Sequence, residues 1–175
     1  MDNKPTFDML IEKHGKEIYS YLWRLLYDPA DADDCFQDVF LRAFTAYPRL
    51  KATSNYRAWL YRIAINTSNT FRRRRGRLAG RTTDLDPEIH SNGQSPADLV
   101  DQALSLARVR KAVDNLPKKQ RAALLLRKYQ RLSYTEIANA LSCSTESARS
   151  NVYQALKKLR RELVPLEDTP VGDDR

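Results

Sequence analysis

The chain has 175 residues, with 30 Lys and Arg against 22 Asp and Glu and a formal net charge of +8, a length that suits one domain or two small ones. No apolar run approaches the roughly 20 residues that span a bilayer, and the opening MDNKPTFDML lacks the apolar stretch of a secretory leader, which predicts a cytoplasmic protein without membrane insertion. Charge is segregated: Val39 to Thr83 contains no acid but holds Arg42, Arg49, Lys51, Arg57, Arg62, Arg72–Arg75, Arg77 and Arg81, a pattern that favours nucleic acid or an anionic membrane surface as partner.

Thr6 reads as the cap of a first helix, in which Phe7, Leu10, Ile11, Ile18, Leu22, Leu25 and Leu26 recur at helical steps until Pro29 stops it. A second helix is predicted from about Asp31 to Pro48, with Cys35, Phe36, Val39, Phe40, Ala43 and Phe44 on one stripe and Asp34, Gln37, Asp38 and Leu41 on another. A third starts near Asn55 and turns Tyr56, Trp59, Leu60, Ile63, Ala64 and Phe71 inward. These three can make one small basic bundle.

Composition then changes. Thr82 to Ala107 holds Asp84, Asp86, Glu88, Asp98 and Asp101 without a Lys or Arg, and TTDLDPEIHSNGQSP has no apolar period. It reads as a flexible acidic linker, either a plain tether or a strand that competes for a nucleic-acid channel. Helical periodicity resumes near Pro96, placing Val100, Ala103, Leu104, Ala107, Val109 and Val113 at near-helical spacing, and Pro117 opens KKQRAALLLRKYQ. The tail from Pro165 reads as unstructured.

Ser133-Tyr-Thr-Glu136 fits a capping box for YTEIANAL, and a short SCS turn leads into TESARSNVYQALKKLRREL. A short helix, a tight turn and a longer helix with a basic, amide-rich outer face is the helix-turn-helix pattern. Ile137, Ala138, Leu141 and Ala148 supply the small apolar crossing, and Ser142 stands where a glycine is often found. Ser147, Arg149, Ser150, Asn151 and Gln154 offer donors on the first turns of the second helix, where Arg and amides pair with base edges and hydroxyls suit phosphates. A hairpin serving only packing is the alternative.

On the third helix, Arg62, Asn66, Asn69 and Arg73 lie off the apolar stripe, so guanidiniums and amides share one surface. Tyr56, Trp59 and Tyr61 stand near the KATSN loop, where an unstacked base could dock, although Trp59 fits a core position better. The arginine run also suits a localisation or membrane-surface patch. Cys35, Cys143, His14 and His90 are isolated, so no metal-ligand spacing exists and no cofactor is expected. The cysteines read as small buried apolar groups rather than a redox pair.

DADDCFQDVFLRAF followed by NYRAWLYRIAINTSNTFRRRRGR resembles region two of the extracytoplasmic-function sigma factors of bacterial RNA polymerase, and LPKKQRAALLLRKYQRLSYTEIANALSCSTESARSNVYQALKKLRREL resembles their region four. The resemblance implies an all-α protein of two small helical domains joined by a flexible linker, the second containing the helix-turn-helix. It divides the chain into residues 1–80, a linker over 81–99, residues 100–165 and a tail over 166–175. It also implies core-polymerase contacts from Asp34, Gln37, Asp38 and Leu41, with the clamp and flap regions as the partner surfaces. Minus-ten contacts would come from Tyr61, Arg62, Asn66, Asn69, Arg72 and Arg73, and minus-thirty-five contacts from Ser147, Arg149, Ser150, Asn151, Gln154 and Lys157. The linker would thread toward the active-centre and RNA-exit channels, and an anti-sigma protein is the expected regulator. TESARSNV departs from the Gly-Thr-Val-Lys-Ser-Arg-like run common in the family, so only Arg149 and Ser150 carry over directly.

The competing reading within DNA binding is a two-domain helix-turn-helix regulator that acts without core polymerase. A nucleic-acid-processing enzyme would need clustered carboxylates, a nucleotide loop or metal ligands, and the sequence offers none.

Overall fold

The computed structural model describes residues 4–78 and 96–164. The expected tail and residues 81–95 of the expected linker lie outside them. Among the described residues there are seven α-helices, one 3₁₀ turn and no strand. Helices α1 (Phe7–Leu26), α2 (Pro29–Ala46) and α3 (Tyr56–Leu78) form the first bundle, with the 3₁₀ turn Tyr47–Arg49 after α2; α4 (Pro96–Asp114), α5 (Lys118–Lys128), α6 (Tyr134–Leu141) and α7 (Thr145–Leu163) form the second.

Local chemistry sets the boundaries. The Thr6 hydroxyl accepts from the Met9 amide and starts α1, and Tyr27 ends it in the left-handed region at φ 58°. Pro29 does more than stop α1. It occupies the first turn of α2, where a missing N–H costs nothing, and the Asp28 side chain caps that turn by accepting from the Asp31 amide at 2.9 Å. Asn55 caps α3 by accepting from the Ala58 amide at 3.0 Å. Ser133 and Glu136 close the capping box on α6. Ser142 then takes φ 53° and ψ 52°, the conformation usually left to glycine, and Ser144 caps α7 by accepting from the Ser147 amide.

Ile18, Leu22, Val39, Leu60, Ala64 and Cys35 are fully enclosed in the first bundle, and Leu126, Leu132, Ile137, Ala148 and Ala155 in the second. Apart from Ala155, which packs with Leu116 and Leu124, the two groups join in one buried cluster through the contact of α3 with α6 and of α1 with α5. Several residues expected inward lie at the surface. Phe44 is 61% exposed, its ring edge-on to Phe7 at 5.3 Å, because α2 has only the narrow α1–α3 groove to fill. Leu104 and Val109 on α4 are exposed, while Val113 is buried.

Candidate protein and nucleic-acid interfaces

The arginine run at the end of α3 divides by helical phase. Arg72 is half-buried and donates to the Leu25 carbonyl and to Asp114, both at 2.8 Å. Arg75 pairs with Asp31. Arg73 and Arg74 are exposed and form no hydrogen bond or ion pair among the described residues. So two of these arginines hold helices together and two face outward with unsatisfied charge.

Arg62, Asn66 and Arg73 are exposed and Asn69 half-exposed, spaced so that all four share one face of α3. Arg62 is already engaged, donating to the Asn139 carbonyl of α6 at 2.7 Å. Tyr61 departs from the expected surface set. It is fully buried, its ring perpendicular to Tyr21 and its hydroxyl donating to Glu17 at 3.2 Å. The helical step that exposes Arg62 turns Tyr61 into the bundle, so Tyr61 is not on the surface that Arg62 occupies.

Beneath this face lies an ionic network that spans both bundles. Arg57 donates to Glu17 three times, from Nε to both carboxylate oxygens and from Nη2 at 2.7 Å, the shortest, and reaches Glu136 at 2.8 Å. His14 donates from Nδ1 to Glu17 at 2.6 Å. Burial alone would raise the Glu17 carboxyl, but the hydrogen bonds from His14 and Arg57 outweigh it and hold the group down to about 2. With Arg62 on Asn139 and Arg72 on Asp114, three α3 arginines are tied to the second bundle. Arg24 over the Tyr129 ring and Arg110 over Tyr27 add to the same junction. The conformation is closed.

All four residues expected to meet a protein partner line one surface hollow. Asp34, Gln37, Asp38 and Leu41 share it with Ile11, Phe36 and Phe40. Leu41 is 66% exposed, and Asp38 accepts from Arg42 one turn on at 3.0 Å. An apolar floor with an acidic rim suits a partner helix that carries both apolar and basic side chains.

On α7, Ser147, Arg149, Ser150, Gln154 and Lys157 are exposed on the outer face. Asn151 is half-buried, and its amide donates to the Ser147 carbonyl at 2.8 Å. It is therefore partly committed to its own helix. Sequence reasoning passed over Tyr153, which is 61% exposed beside Arg149 and Ser150; its place on the polar side of the α7 periodicity is the signal that could have found it.

Cys35 is enclosed, and burial pushes its thiol up to about 12. Cys143 is half-buried, and both are free thiols. Among the described residues no group of three His, Cys, Asp or Glu could hold a metal ion, and no helix is long and apolar enough to cross a membrane.

The described architecture matches known families over both bundles. A family profile for sigma-70 region 2 fits residues 10–78, and one for sigma-70 region 4 fits residues 106–159. The RNA polymerase sigma-H factor of Pseudomonas aeruginosa is 30% identical over 94% of this chain and 89% of its own length. The ECF RNA polymerase sigma-E factor of Escherichia coli is 28% identical over 94% and 90%. Among solved structures, the sigma factor RpoE in complex with the anti-sigma factor NepR from Bartonella quintana superposes with a TM-score of 0.66 at 24% identity, covering 90% of this chain and 96% of that one. CnrH in complex with the cytosolic domain of CnrY gives 0.64 at 24% identity, over 90% and 86%. These two share the fold. With both regions present in order and a relative similar over nearly its whole length, the chain belongs to the extracytoplasmic-function group of sigma-70 family RNA polymerase sigma factors.

Proposed function

We propose that the chain binds core RNA polymerase, directs it to specific promoters and promotes their melting, acting in the cytoplasm with no enzymatic activity of its own. One observation carries this reading: an acid-rimmed apolar hollow, an acid-free basic helix and a helix-turn-helix follow one another in a single chain. In this reading Asp34, Gln37, Asp38 and Leu41 receive the polymerase clamp. Arg62, Asn66, Asn69, Arg72 and Arg73 engage the minus-ten element, and Ser147, Arg149, Ser150, Asn151, Gln154 and Lys157 the minus-thirty-five element. Tyr61 drops out of the contact set and acts through the core. Arg62 and Arg72 are bonded to the second bundle, so the bundles must part before these two side chains meet DNA, and polymerase binding supplies that separation. RpoE was found with the anti-sigma factor NepR, and CnrH with the cytosolic domain of CnrY; an anti-sigma protein, holding the closed form, is the expected regulator here.

Reconstitution tests this. A promoter duplex is first selected from a randomised library by purified chain plus core polymerase. Run-off transcripts from it should need both components. Tight binding of the duplex by the chain alone, with no gain in transcripts on adding polymerase, would favour an independent helix-turn-helix regulator.

A further inference from the structure

Two arginines from different helices converge on one ring. Arg127, in the last turn of α5, places its guanidinium carbon 4.8 Å from the centroid of Tyr134, and Arg149, near the start of α7, lies 5.3 Å from the same centroid. Tyr134 is the first residue of α6 and half-buried, so the helix-turn-helix core fixes its ring. Arg127 is held further by donating to the Leu132 carbonyl at 3.0 Å. Arg149 has no hydrogen bond or ion pair among the described residues, so the ring is the group that restrains it. Arg127 and Tyr134 line a surface hollow together with Lys128, Arg131, Val152 and Leu156.

An aromatic face attracts a cation while leaving its N–H donors free. A free arginine loses much of its rotamer freedom on docking, and a side chain already held over a ring loses less. We propose that Tyr134 is a positioning residue for promoter reading, its ring aiming Arg149 at a base edge and Arg127 at the neighbouring phosphates. The proposal rests on the sigma-factor reading above and adds a residue that touches no DNA itself. Base contacts carry sequence information and phosphate contacts do not. Loss of the ring therefore weakens discrimination through Arg149 and overall affinity through Arg127.

The test uses full-length chain in reconstituted holoenzyme, with the selected duplex and a scrambled duplex as probes. Tyr134→Leu keeps apolar bulk without the ring and should lower affinity for the selected duplex about fivefold, while Tyr134→Phe restores most of it. In an Arg149→Ala background, Tyr134→Leu should no longer change the ratio of selected to scrambled binding. Thermal unfolding and polymerase affinity are measured on the same proteins. Equal loss of discrimination with and without Arg149, or wild-type binding by Tyr134→Leu, would overturn the positioning role. A wild-type holoenzyme that selects no sequence at all would overturn the functional reading, and this proposal with it.

Discussion

Arg57 on α3 and Glu136 on α6 meet at 2.8 Å across the junction of the two bundles, 79 residues apart in sequence. Glu136 also closes the capping box of α6, and glutamine can serve that box while losing the charge. Glu136→Gln therefore isolates the cross-bundle pair. Both partners are about one-third exposed, which limits the pair to about 1 kcal/mol. A shift of that size should raise the fraction of separated bundles up to about fivefold, read as a longer distance between dyes on α2 and α7. An unchanged distance distribution would show that the Arg57–Glu136 pair does not help to close the molecule.

Glu17 sets a pH dependence. Its carboxyl lies at about 2 in the folded chain, below its ordinary 4.5, so the stabilisation is present above about pH 4.5 and drains away as pH falls toward 2. Glu17→Gln should cost on the order of 2 kcal/mol at neutral pH, after discounting for partial exposure, and should flatten the acid limb of stability. Urea unfolding between pH 7 and 3 checks both. An acid limb of the same slope in the variant would assign it to other carboxylates.

Much of the fold is legible because its signals are local. Thr6, Asn55 and the Ser133–Glu136 box cap the helices that periodicity predicts. Phase at the ends is less legible. Arg72 and Arg73 look equivalent in RRRR, yet one reaches Leu25 and Asp114 and the other faces solvent. Tyr61 and Arg62 are neighbours whose environments differ by one helical step, and only the bundle decides which is enclosed. The Arg57–Glu136 contact had no local signal at all, because it depends on how the bundles dock.

Leu41→Ala should leave the fold within about 0.5 kcal/mol, since the side chain is mostly exposed, but should weaken core-polymerase affinity. Asp38→Arg should weaken it more, by up to several kcal/mol if the position is central to the interface. It also sets a second cation beside Arg42, the present partner of Asp38. Titration calorimetry against core polymerase gives both values. Wild-type affinity in Asp38→Arg would remove the α2 hollow from the interface.

Arg149→Ala should impair use of a promoter with an intact upstream element by about 1–3 kcal/mol, the worth of one good base contact. A pre-melted template that lacks the upstream element should be nearly unaffected. Equal losses on both templates would indicate a folding or polymerase-binding defect.

In the proposed function the exposed face of α3 acts in strand opening. Asn69→Ala combined with Arg73→Ala, in holoenzyme matched for polymerase binding, should reduce permanganate reactivity at the minus-ten region of duplex promoters. An artificial bubble should restore it in part, and the arginine share of the defect should shrink as salt rises, because phosphate neutralisation releases counterions. Normal opening of the duplex by the double variant at moderate salt would remove this face from strand opening and assign the arginine-rich helix to another partner.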